Sequence, residues 1–212
     1  MRQNSNLCAC IVIRYGLKGT AAYAAHAHEL GKESDEVYAF IHKALAQLAQ
    51  GEATVDNLLG LALGTGGANL KALEILDAGH TDRYGAPVPT PVNHSQVEGK
   101  CILVSGHDMR DLEAILEQTA GKGINVYTHG EMLPAHGYPG LKTKFPHLVG
   151  NYGAAWQLQK FEFAKFPGPI IIVRGDVYTV ASKPRSITLT RCHACPPHTD
   201  DELPCGTPQV VC

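Results

Sequence analysis

The sequence predicts an α + α/β protein, in which a helical segment precedes a parallel, three-layer α/β domain that is incomplete. Three observations predict it. Residues 18–79 carry apolar residues at helical spacing. From residue 100 the pattern becomes a short β-rich run, a helix and a second β-rich run, joined by short loops. The apolar run PGPIIIV (167–173) then reads as a third strand, buried on both faces by its continuous apolar character.

The elements follow in chain order. TAAYAAHAHEL is alanine-rich and ends at Gly31. Ser34 is the N-cap of the next helix. Val37, Phe40, Ile41, Ala44, Leu45 and Leu48 follow at i, i+3, i+4, i+7, i+8 and i+11, and Gly51 stops it. Thr54 opens VDNLLGLAL, and Asn69 caps LKALEIL. Between these lies GTGG (64–67), which reads as an interhelical turn, because a phosphate-cradling loop needs a strand before it and here a helix precedes. His26, His28 and His42 read as surface or packing residues, since no Cys, Asp or Glu partner recurs at ligand spacing. Residues 80–99 hold three prolines and no helical period, which sets a linker at 83–99 between a helical part (16–82) and an α/β part (100–173). Lys100–Ser105 is a strand, Asp108 caps the helix that begins at Met109, and Leu112, Ile115 and Leu116 give that helix its buried face. GKG ends it, and INVYT (124–128) is the second strand of a βαβ unit with parallel neighbours. A further helix is expected over Tyr152–Phe163. Residues 174–212, rich in cysteine and proline, show no period.

Composition bounds the function. A chain of 212 residues with 44% hydrophobic and 18% charged residues suits a globular protein with a substantial core. A formal charge of −2 argues against a dedicated binder of nucleic acid or of anionic membranes, both of which need clustered cations. No apolar run reaches the ~18 residues of a membrane-spanning helix. The start, MRQNSNLCACIVIRYG, lacks the cleavage site of a signal peptide, so a cytoplasmic location is the expectation. Seven cysteines, an odd number placed mostly near both ends, are unlike a disulfide scaffold.

Two polar clusters stand out, SGHD (105–108) and THGEM (128–132). His107 lies just beyond the carboxyl end of the first strand of the βαβ unit, and Glu131 just beyond the second. Ligands of open parallel sheets bind at that edge, and adjacent strands lie only ~4.8 Å apart, so both side chains can reach one site. Imidazole and carboxylate together make a metal-binding pair or a general acid–base pair. The plainer reading is that His107 and Asp108 start a helix while HGEMLPAHG is a solvent-exposed turn, and spacing alone favours it. His129 and His136 flank Glu131 as supporting groups or as loop residues. At the other end, CHAC places Cys192 and Cys195 at zinc or redox spacing, with His193 and His198 available to complete a shell, but no second C-x-x-C follows.

Four strings carry a resemblance: YGLKGTAAYAAHAHELGKE, NLKALEILDAGHTDRYGAPVPT, ILVSGHDMRDLEAILEQTAGKGINVYTHGEMLPAHGYP and HLVGNYGAAWQLQKFEFAKFPGPI. In this order they closely resemble the hybrid-cluster protein family (prismane protein, hydroxylamine reductase), from about residue 15 to residue 172. The resemblance implies an all-helical domain followed by Rossmann-like α/β domains. It implies a hybrid iron–sulfur–oxygen cluster held by one histidine, two glutamates and four cysteines, one of them persulfidated. Within SGHD and THGEM the family's ligands fall on His107 and Glu131. The implied activity is reduction of hydroxylamine to ammonia and water, with nitric oxide as a further substrate and a role under nitrosative stress. An external donor protein would supply electrons through a second iron–sulfur cluster.

The departures are as specific as the match. Family members are longer and begin with a cysteine-rich segment for the second cluster, whereas Cys8 and Cys10 do not reproduce that spacing. After FPGPI the family reaches an asparagine–cysteine pair, where this chain has Gly175 and Asp176. The expectation is therefore an internal piece of such a protein, with divergent ends (1–15 and 174–212) from truncation or a shifted reading frame. Two alternatives accompany it: an inactive fragment that keeps the fold, and a small zinc-binding or interaction protein that uses CHAC.

Overall fold

The computed structural model describes residues 2–50 and 54–173. They form two compact units that divide between Arg83 and Tyr84.

The first unit is built from α1 (Arg2–Glu29), α2 (Asp35–Gln50) and α3 (Val55–Tyr84). Thr54 opens α3 as expected, its Oγ1 accepting the Asn57 amide at 3.3 Å. The stripe on α2 buries Val37, Ala44 and Leu48, and these join Ile13 and Leu17 of α1 and Leu58 and Ala72 of α3 in two apolar clusters. Leu45, expected on the same stripe, is instead 48% exposed. CACIVI lies within α1 and supplies Ile13 to the core. Two expectations are corrected in α3. GTGG is not a turn but the middle of α3, and Asn69, in the same helix, caps nothing; its Oδ1 accepts from Thr20 Oγ1 at 3.3 Å. Close packing explains the glycine. A Cβ on Gly64 would lie 2.7 Å from the Phe40 ring, so the small residue lets α2 and α3 approach. That approach offsets the roughly 1 kcal/mol a glycine costs inside a helix.

The second unit is a four-stranded parallel sheet in the order β3-β2-β1-β4, with β1 (Lys100–Ser105), β2 (Ile124–His129), β3 (Leu148–Tyr152) and β4 (Ile170–Ile172). Between β1 and β2 runs α4 (Met109–Thr119), where Leu112, Ile115 and Leu116 are fully buried. A 3-10 turn (Gly130–Gly137) and α5 (Pro139–Lys142) lead to β3; a second 3-10 turn (Trp156–Leu158) and α6 (Gln159–Lys165) lead to β4. Strand alternation puts Leu103, Tyr127 and Ile170 on one face, where Phe163 of α6 packs on them. Ile102, Val104 and Val126 occupy the opposite face and are likewise buried.

The α + α/β class and the βαβ unit match expectation. The helix over Tyr152–Phe163 does not: Tyr152 ends a strand, and the helix begins only at Gln159. PGPIIIV is thus the fourth strand in the chain, next to β1. Residues 85–99, without helix, are pinned to this unit by hydrogen bonds. The Val88 amide donates to Gly137 O at 2.8 Å, the Val97 amide to Tyr127 Oη at 2.8 Å, and the Asn151 amide to Asn93 O at 2.9 Å.

Candidate functional site

The carboxyl edge of the sheet is shaped first by Gly106. Its φ is +123°, and a Cβ there would lie 2.2 Å from the carbonyl oxygen of Val173. Only glycine fits, because the residue after β4 runs close alongside, its amide donating to Ser105 O at 2.8 Å. Two residues on, Asp108 caps α4 through Oδ1, which accepts the amides of Arg110 (2.9 Å) and Asp111 (3.1 Å). His107 is held between this turn and the capped helix. On the neighbouring strand Gly130, at φ +54°, starts the 3-10 turn that carries Glu131. In the β1–β2 register Ser105 lies opposite His129, so His107 and Glu131 are each two residues past the last paired position.

The two side chains meet: His107 Nε2–H donates to Glu131 Oε2. Both reach solvent, with side chains 35% and 69% exposed. They open on a cavity of about 460 Å³ whose walls include Ser105, His129, Ala154, Trp156, Gln157 and Gln159. HGEMLPAHG is a turn of mixed exposure: Met132, Ala135 and His136 are buried, while Glu131, Leu133 and Pro134 face solvent.

His129 belongs to the cavity wall, and His136 does not. The His129 ring is buried, with Nδ1 3.1 Å from Ser105 Oγ and Nε2 donating to Glu162 Oε2 at 2.8 Å. The second Glu162 oxygen accepts the Ala154 amide at 2.8 Å. Glu162, 33 residues from His129, carried no signal in the sequence. His136 lies beneath the 3-10 turn, its Nε2 2.9 Å from Thr128 Oγ1, which in turn donates to Asn151 Oδ1 at 2.8 Å. Burial, reinforced by the charge of Lys142 and by His94, lowers its pKa to about 4 against a weaker opposing pull from the Gly150 backbone.

An imidazole nitrogen and a carboxylate oxygen in contact are donor types compatible with a metal ion. Among the described residues no group of three or more His, Cys, Asp or Glu converges, so these residues offer two donors and no more. Cys101 is no third: it sits four residues before Ser105, roughly 13 Å along the strand, and burial pushes its thiol pKa up, away from the thiolate a metal needs. Cys8 and Cys10 belong to α1 in the first unit. Cys192, Cys195, His193, His198, Gly175 and Asp176 lie outside the described residues. No helix among the described residues is long and apolar enough to cross a membrane.

Comparison with known proteins adds a second line of observation. The Prismane/CO dehydrogenase family matches residues 2–183, which extends the likeness at both ends beyond the strings read from the sequence. A hydroxylamine reductase from Gloeothece citriformis is 58% identical over 162 residues, covering 76% of this chain and 30% of that protein. Hydroxylamine reductases from Salmonella paratyphi B and Salmonella newport are 59% identical over 158 residues, covering 74% of this chain and 28% of theirs. The chain thus spans less than a third of the length of these curated relatives.

Proposed function

The chain belongs to the Prismane/CO dehydrogenase family, and from that premise we propose that it carries one edge of the iron site of a hydroxylamine reductase. In this reading His107 and Glu131 are metal ligands, and the substrate is a small N–O compound, hydroxylamine first and nitric oxide second. The observation that carries it is the His107–Glu131 pair, delivered by adjacent parallel strands to one cavity. The cavity volume supports it too. A water molecule takes about 30 Å³, so about 460 Å³ accommodates a bulky inorganic group together with a small substrate.

A hybrid iron–sulfur–oxygen cluster held there would pass on electrons from a donor and supply the Lewis acidity that reduction of an N–O bond requires. The chain's residues have simpler tasks. His107 and Glu131 give up their shared proton and hold metal. The Ser105 hydroxyl and the Gln157 and Gln159 amides offer hydrogen bonds to a polar guest, and Trp156 screens it from water. The remaining donors, the second iron–sulfur cluster and the external electron donor would come from beyond the described residues. A cytoplasmic setting and a role under nitrosative stress go with the same reading.

One observation favours a second reading, an inactive fragment that keeps the fold: only two donors converge among the described residues. Anaerobic reconstitution with iron and sulfide, followed by iron analysis and a hydroxylamine-dependent oxidation of reduced viologen, separates the two. Iron retention with turnover supports the reductase. Iron retention without turnover, or no iron at all, supports the fragment.

A further inference from the structure

The strongest unassigned feature is the carboxylate of Glu162. It is 14% exposed and accepts two hydrogen bonds from different segments, one from the His129 ring and one from the Ala154 amide. The first fixes the residue two places before Glu131; the second fixes the start of the strip 154–157 that walls the cavity. His129 is further held by Ser105 Oγ at 3.1 Å and by the Phe163 ring, whose centroid lies 4.7 Å from its own. The surroundings are built for this contact. Gly153 has φ +90°, and a Cβ there would lie 2.6 Å from Glu162 Oε2 and 2.9 Å from His129 Cδ2. Any side chain at that position would part the carboxylate from the imidazole.

We propose that Glu162 is a positioning residue for the His107–Glu131 pair, acting through His129, and the fastener of the cavity wall formed by residues 154–157. A buried imidazole bonded at both nitrogens cannot rotate, so the end of β2 from which Glu131 projects has one orientation. With the Ala154 amide on the other carboxylate oxygen, the wall and the pair are set against each other by one side chain. The claim about the pair rests on the metal reading above; the claim about the wall does not.

The test uses the full chain and Co²⁺ as the probe. Glu162→Ala and Glu162→Gln are compared with wild type for cobalt affinity and for amide exchange across residues 153–158. Leu116→Ala, a buried change at the far end of α4, serves as a control for general destabilisation. Loss of a partner that orients a metal ligand weakens binding by about tenfold to a hundredfold. Glu162→Ala is expected to fall in that range and to exchange at least tenfold faster over the strip, with Glu162→Gln intermediate because it can accept only one of the two bonds. If Glu162→Ala does not fold, Glu162→Gln against wild type decides. Unchanged affinity and exchange, or an equal effect of Leu116→Ala, overturns the proposal. Wild-type protein that takes up no cobalt, or keeps it in His107→Ala, overturns the metal reading alone, and the exchange result then decides the wall.

Discussion

His136 makes the second unit sensitive to acid. The residue is 1% exposed, and its pKa falls from the ordinary 6.5 to about 4, chiefly because burial penalises the charged form. The unfolded chain takes up this proton below about pH 6.5, whereas the folded chain refuses it until about pH 4. The stabilising contribution is therefore complete above pH 6.5 and is lost progressively as pH falls toward 4. At about 1.4 kcal/mol per pKa unit, the full loss is about 3 kcal/mol, a large share of the roughly 5–15 kcal/mol by which domains are stable. Urea unfolding followed by Trp156, the chain's single tryptophan, reports on the unit that contains His136. His136→Gln removes the titration while keeping a group that can bond Thr128. Wild type and variant should lose stability differently between pH 7 and 4.5, with wild type losing about 2–3 kcal/mol more. Parallel losses across that range would show that the buried ring is not the acid-sensitive group.

Three further changes probe the frame that holds the site. Gly106→Ala combines a left-handed backbone with an overlap on the Val173 carbonyl; we expect a loss of at least about 2 kcal/mol by thermal unfolding. Leu112→Ala empties a fully buried position on α4 and should cost about 3 kcal/mol in urea. Asp108→Ala leaves the Arg110 and Asp111 amides without their cap, for a loss of about 1 kcal/mol measured the same way.

What was legible in the sequence depended on whether the signal was local. The bounds of β1, the Asp108 cap and the buried face of α4 could be read from a few consecutive residues each, and the β1–β2 pairing then brought His107 to Glu131. By contrast β3, LVGNY, was hidden. It is five residues long, and its Gly150 and Asn151 are depleted in strands; they belong there only because the Asn93 carbonyl passes close by. GTGG misled for the same reason: glycine punctuates turns in a sequence, but here it admits Phe40 between helices. Glu162 lay in a stretch that reads as a helix, and nothing local ties it to a histidine at the end of β2.

The central claim is that His107 and Glu131 bind iron together. X-ray absorption at the iron edge of the full chain, loaded anaerobically with ferrous iron, tests it most directly. Wild type should show an imidazole scattering signature that is lost in His107→Ala, and both His107→Ala and Glu131→Ala should hold fewer irons per chain. Identical spectra and identical iron content in wild type and both variants would contradict it.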